Sequence, residues 1–488
     1  MDIKIGKFTL ETLTTGMYDT PKDIYREYIQ NAVDSIDNAY LRGILKLGKD
    51  CIDIKIDKIN RTISITDNGM GISKVNAKDY LLNIGDSSKF NTNNRGFRGI
   101  GRLAGLAYCD ELTFVTSYYG EEVKTIITFD ANKLRDVLYS TEDHGTLEEV
   151  FTQVVSIFEE PESKSKHYFS VLLKGVSDTD GLLNPEIIYQ YLSQVAPAPF
   201  SPCFKWKDII TSKLLYRGLK VSEYNIFIEA DEKKQLFKNY SDVFLADRVR
   251  KAEDAIEDIE EELFIDENGS CLAILWFAKT NFSGTVQDET IKGIRLRKGN
   301  IQLGERNVLN SFFKDERFNG WLIGELHVLS PDLIPNARRD NLEKTKKYYQ
   351  LEDQIKSWAD NISSIIRKIS ISRNSDKTNK RLEKVLEDIP VSAVSLDREI
   401  VIPEIELATK QEYDEIAHAE LINQLDILIN QTHSCTKYKA LNLQIGITIE
   451  EKKILENIFD VLQEKYPEKA DSLISTIIRE YKAKKITK

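Results

Sequence analysis

Two hydrophobic periods alternate along the chain, and each switch between them marks an element. Tyr25, Ile29, Ala32 and Ile36 recur at helical spacing, which predicts an amphipathic helix with one face in a core. Thr20 is its expected N-cap and Pro21 its first-turn proline. Ile52-Asp53-Ile54-Lys55-Ile56-Asp57 and Thr62-Ile63-Ser64-Ile65-Thr66 alternate strictly across a short link, as an antiparallel hairpin with one buried face does. Residues 112–117 and 123–129 form a second hairpin, preceded by the small-residue helix Leu103-Ala104-Gly105-Leu106-Ala107. The order helix, hairpin, loop, helix, hairpin predicts an α+β fold with helices on one face of an antiparallel or mixed sheet.

Near residue 200 the pattern changes. Ala196-Pro197-Ala198-Pro199-Phe200-Ser201-Pro202 is a proline-dense seam, so domains are expected at 1–200, 201–345 and 346–488. The second should hold a strand at 224–228, an acidic run at 253–262 read as a solvated helix face, and an apolar strand at 271–278. A strand ending in basic residues follows at 294–304. Residues 344–371 read as a long amphipathic helix, with 372–388 a charged linker merging into it. Stripes such as Leu421, Leu425, Leu428 and Leu455, Ile458, Leu462 predict a helical C-terminal region for dimerisation or partner binding.

Composition narrows the class. A length of 488 residues fits two to four domains, and 41% hydrophobic residues suffice for real cores. A net charge of −11 disfavours a mainly electrostatic nucleic-acid binder. The five cysteines are scattered, with no zinc spacing. Neither a run of about 18 apolar residues nor a signal-peptide core occurs. A cytoplasmic protein without a membrane segment is expected.

Three stretches carry candidate chemistry. Glu27, Asn31 and Asp34 share the polar face of the first helix, where a carboxylate and an amide one turn apart suit a general base beside a ligand for a hard cation. An ordinary amphipathic helix would present the same stripe. The second hairpin strand runs into Asp67-Asn68-Gly69-Met70-Gly71, whose glycines permit a tight turn. A polar loop at 85–94 ends in Arg95-Gly96-Phe97-Arg98-Gly99-Ile100-Gly101, and a glycine-rich turn opening a helix suits phosphate.

Together, Glu27-x-x-x-Asn31-Ala32-x-Asp34, Asp67-x-Gly69-x-Gly71 and Gly96-x-x-Gly99-x-Gly101 resemble the three ATP-binding motifs of the GHKL superfamily. That group includes the ninety-kilodalton heat-shock chaperones, type II topoisomerase ATPase subunits, MutL and MORC proteins and histidine kinases. Glu27 separates the chain from the kinases, which lack a hydrolytic glutamate there. The resemblance covers roughly residues 1–200. It implies a Bergerat-fold α/β sandwich, a second α/β transducer domain and a helical C-terminal region.

The resemblance also implies roles. Glu27 would activate water, Asn31 would ligate Mg2+, and Asp67 would accept from the adenine amino group. Gly69 and Gly71 would let base and sugar lie against the backbone. Gly96, Gly99, Ile100 and Gly101 would hold phosphate, with residues 84–98 as the lid. Asp34, Asn83 and Lys89 complete the nucleotide set. The Thr that these families place near adenine has two candidates: Ser170 in Tyr168-Phe169-Ser170-Val171-Leu172, or Thr146. Asn336, Arg339 and Glu343 match a chaperone loop that reaches toward ATP, and Arg339 would be its catalytic arginine. The function implied is a Mg2+-dependent ATPase whose lid closure drives N-terminal association of a homodimer acting on a protein client. The alternatives are a nucleotide-gated interaction module, in a bacterial multi-protein system, and a DNA-clamping ATPase, with DNA the less favoured partner.

Overall fold

The computed structural model describes residues 20–83, 101–139, 147–247, 252–388, 449–470 and 472–477. Helix α1, Asp23–Leu41, leads to strands β1, Ile52–Asp57, and β2, Thr62–Asp67. After α2, Lys74–Leu82, a 3-10 turn at Gly101–Ala107 precedes β3, Glu111–Ser117, and β4, Val123–Asp130. Helices α3, Ala131–Tyr139, and α4, Leu147–Val154, lead to β5, Val155–Pro161, and β6, Tyr168–Lys174. Then come α5, Pro185–Val195, α6, Lys207–Tyr216, and β7, Ile226–Glu229, with β8, Lys233–Gln235.

These strands form one mixed sheet in the order β5-β4-β3-β6-β2-β1-β7-β8. Alternation sets its registers: Ile54 pairs with Ile65 and Ile56 with Ile63. Their buried side chains meet Tyr25, Ile29, Val33 and Ile36 of α1 in one apolar core. The N-cap falls at Lys22 rather than Thr20, without a side-chain cap. The carbonyls of Thr20 and Pro21 instead accept the amides of Asp23 and Ile24 at 3.1 and 3.3 Å, so a backbone turn replaces the expected hydroxyl cap. The small-residue helix is a 3-10 turn instead of an α-helix.

A second sheet follows. Strands β9, Val243–Asp247, and β10, Ala252–Ala255, form a separate pair. Strands β11, Asp258–Ile265, β12, Cys271–Lys279, β13, Gly293–Lys298, β14, Ile301–Gln302, and β15, Ile323–Val328 pair in the order β11-β12-β15-β13-β14. One face packs Leu275, Phe277, Leu296 and Leu326 against Leu351, Ile355 and Trp358 of helix α7, Lys346–Asp388. The acidic run is therefore strand, not helix: β11 is an edge strand with most of its acidic side chains turned outward, a distribution that discourages edge-to-edge pairing.

The strand near residue 226, expected in the second domain, lies in the first sheet, where β7 runs parallel to β1. The chain leaves the large sheet at the proline-dense segment, packs α6 on the second core, and then returns as β7 and β8. Both sheets belong to one compact unit, residues 1–371, and residues 372–488 form another. Within the second unit, Leu455 and Phe459 of helix α8, Ile449–Lys465, pack with Ala470 and Ile474. Among the described residues no helix is long and apolar enough to cross a membrane. Leu421, Leu425 and Leu428 lie outside the described residues.

Candidate active site

Helix α1 is buried almost all round, its polar face included. Glu27 is 4% exposed, Gln30 2% and Asp34 1%, whereas a solvated stripe would leave them in water. Asn31, one turn from Glu27, is half-buried. Tyr191 of α5 donates to Asp23 at 2.8 Å, and Arg26 lies 3.4 Å from the same carboxylate oxygen. These contacts tie the first turn of α1 to α5.

The group facing Glu27 comes from the second layer. Arg339 places Nε 3.2 Å from Glu27 Oε1, with both side chains largely buried. Its loop is closed by a bridge between Pro335 and Leu342 and by Asn336 N donating to Asn341 O at 2.9 Å. The Asn336 amide donates to Asp340 within the loop. Arg338, the neighbour in sequence, is exposed. Of the two adjacent arginines, only Arg339 is turned into this buried pair.

At the end of β2, Asp67 is 2% exposed and accepts the amide of Gly69 at 2.8 Å. A Cβ at Gly69 would lie 2.2 Å from Ser35 Oγ of α1, and one at Gly71, with φ +66°, 2.0 Å from Ser117 O. The glycines thus let the turn sit directly on α1 and β3. Thr116 Oγ holds the next residue, accepting from Ile72 N at 2.7 Å.

The register of β6 places Ser170 relative to this turn. Asp67 pairs with Phe169 and Thr66 with Ser170. Alternation then puts Ser170 on the opposite face from Asp67, where its hydroxyl meets that of Thr66 at 2.7 Å. Ser170 is thus not brought to the candidate site. Two residues before Phe169, on the Asp67 side, His167 Nδ1 lies 2.7 Å from Gly69 O. Because a carbonyl only accepts, Nδ1 carries the proton, which fixes the tautomer. Sequence reading missed His167, since its signal is the pairing partner of β2 and not a motif. Thr146 lies outside the described residues.

Asn83, at the C-cap of α2, is exposed, and its carbonyl accepts from Arg102. Arg102 is buried against the Tyr80 ring, 5.2 Å from its centroid, and burial holds its guanidinium below the ordinary value. Tyr28 of α1 donates to Arg102 O at 3.2 Å and accepts from Gly105 N at 3.0 Å. These bonds fix the 3-10 turn that begins at Gly101. Lys89, Gly96, Gly99 and Ile100 lie outside the described residues.

The polar groups present suit a polar ligand. Gln30 Oε1 and Ser35 Oγ are buried without a hydrogen-bond partner among the described residues, and a buried orphan of this kind favours a donor arriving from outside. Among the described residues there is no group of three or more His, Cys, Asp or Glu that could hold a metal ion.

Residues 20–156 match a family described as histidine kinase-, DNA gyrase B- and HSP90-like ATPase. The chain is also similar to chaperone protein HtpG of Bacillus licheniformis, 31% identical over 133 residues, 24% of this chain and 21% of that protein. HtpG of Fusobacterium nucleatum is 31% identical over 161 residues, 29% of this chain and 26% of that one. HtpG of Halalkalibacterium halodurans is 30% identical over 133 residues, 24% and 21%. The matched region thus spans a fifth to a quarter of the relatives' length.

Proposed function

We propose, from the premise that residues 20–156 carry a GHKL-type ATPase domain, that the chain binds ATP with Mg2+ and hydrolyses it to drive a conformational cycle. The observation that carries this reading is the Glu27–Arg339 pair at 3.2 Å. It joins the helix matched to the ATPase family with a loop far outside the match, at the two residues the motifs assign to chemistry.

Each residue then has a task. Asp67 accepts from the adenine amino group, beside a turn fixed by His167 and Thr116. Asn31 contributes a ligand to Mg2+, which supplies charge neutralisation of the phosphates. Water forms a bond to the γ-phosphorus as the bond to the ADP oxygen breaks, and Glu27 takes the water's proton. Arg339 stabilises negative charge on the transferring group. While paired, Glu27 and Arg339 occupy each other. A γ-phosphate competes for the guanidinium and leaves Glu27 to orient water.

Residues 84–98 serve as the lid in this reading, and ATP draws two copies together through their N-terminal domains, as a cytoplasmic dimer acting on a protein client. Steady-state hydrolysis tests the core of it. Arg339→Ala should keep ATP affinity within a few-fold while turnover falls steeply, by less than the about 10³–10⁵ seen for arginine fingers elsewhere because closure can share control of the rate. Arg338→Ala should do less. Equal effects from the two variants would remove Arg339 from the reaction.

A further inference from the structure

We propose that Gly304 is a positioning residue for this reaction: it seats the loop of Arg339, and the β13–β14 hairpin sets the reach of Arg339 to Glu27. The inference rests on the roles of Glu27 and Arg339 given above and adds what holds them in register.

Arg339 has φ +57°, a left-handed conformation that long side chains adopt only when their surroundings impose it. Two bonds impose it here. Arg339 O accepts from Gly304 N at 2.8 Å, and Arg339 N donates to Asn336 O at 3.2 Å. Gly304 is itself left-handed, at φ +63°. A Cβ built on it would lie 2.1 Å from Asp340 O and 3.1 Å from the Asp340 carbonyl carbon. Both are backbone atoms of the Arg339 loop, so no side-chain rotation relieves the clash. Only glycine lets the two strands of chain approach so closely.

The seat is anchored on both sides. Gln302 Nε2 donates to Gly304 O at 2.9 Å, and Leu303 N donates to Leu296 O at 2.8 Å, which fixes Gly304 to the hairpin. On β13, Arg297 donates to Gln194 O at 2.7 Å in the last turn of α5. That helix packs on α1. One hairpin therefore holds the helix beside Glu27 and the loop that bears Arg339. A Cβ at Gly304 must push the loop away by roughly an ångström, and a displacement of that size can cost about 10²-fold in rate.

The test uses the full chain and measures ATP Kd, kcat and thermal midpoint for Gly304→Ala, Arg339→Ala and the double variant. The expected result is a kcat about 10²-fold lower in Gly304→Ala, with ATP Kd within about threefold of the parent. The double variant should be no slower than Arg339→Ala, because both changes remove one contact. Gln302→Leu adds no Cβ at the seat and removes a single bond; it should lower kcat less, again with ATP Kd kept, and it decides the matter if Gly304→Ala does not fold. Parental kcat in Gly304→Ala, additive losses in the double variant, or parental kcat in Gln302→Leu when Gly304→Ala is unfolded would each overturn the proposal. Parental turnover in Arg339→Ala overturns instead the role of Arg339 on which it rests.

Discussion

One oxygen of Asp67 already accepts the amide of Gly69, and this makes Asp67→Asn a discriminating change. The new amide can keep that bond through its oxygen and then turns its NH2 toward the proposed position of the base, where an acceptor would be needed. A buried donor facing a donor costs about 1–3 kcal/mol, so ATP affinity should fall by roughly 5- to 150-fold in calorimetry without loss of the fold. Glu27→Ala should do the reverse: nucleotide retained, turnover down by about 10²–10⁴. Unchanged hydrolysis in that variant would move the base elsewhere. His167 separates a role in the turn from mere proximity. His167→Asn can still donate to Gly69 O, whereas His167→Ala cannot, so only the alanine should weaken ATP binding. At this scale Glu27 and Asp67, which are buried, and Gly69 and Gly71, which form the close turn, were legible as candidates because motif spacing exposes them, while Gly96 and Gly99 lie outside the described residues. His167 and Arg102 were not, because each acts through a backbone carbonyl that only tertiary pairing brings near.

At the scale of elements, the second sheet hides a charged core. Glu325 of β15 is fully buried and lies 2.9 Å from Lys238 Nζ, 2.7 Å from Arg297 Nε and 3.1 Å from His327 Nε2; Tyr240 donates to it at 3.0 Å. Burial pushes the Lys238 ammonium down to about 8. The sequence of β13 reads as a strand ending in basic residues, and a strand face that carries them is ordinarily in water. Here Phe200, Phe204 and α6 cover it, an arrangement that no local pattern encodes. The acidic edge of β11 misled for the same reason, since its pairing with β12 is not written in its own residues. Glu325→Ala leaves two buried cations without their carboxylate and should cost about 3–5 kcal/mol, read from the urea midpoint. His327 gives a pH signature. Burial holds its imidazole below the ordinary 6.5 despite Glu325 beside it and with Lys238 and Arg297 opposing protonation. The unfolded chain therefore binds a proton first as pH falls below 6.5, and stability should be lost from there down through the lowered folded value. His327→Leu should flatten that limb of the stability profile.

At the scale of the molecule, the two layers of residues 1–371 form one unit, and their contact at the site is the Glu27–Arg339 pair. A fragment cut at the proline-dense segment would lose β7 and leave the β1 edge unpaired, so the contribution of the second layer is better measured by Arg339→Ala in the full chain. The remaining step is whether nucleotide changes association. A γ-phosphate offers Arg339 a stronger anion than Glu27 does, and ADP does not, so the two nucleotides differ at a contact that joins the layers at the candidate site. ATP should therefore promote association of two chains and ADP should not. In the proposed cycle Glu27→Ala would bind without turnover and should accumulate the associated form, because hydrolysis would be what releases it. Sedimentation of the full chain and of Glu27→Ala, with ATP, with ADP and without nucleotide, reads this directly. A single sedimentation coefficient under all conditions would limit the cycle to changes within one chain. A shift that appears only when DNA is added would instead favour a clamp.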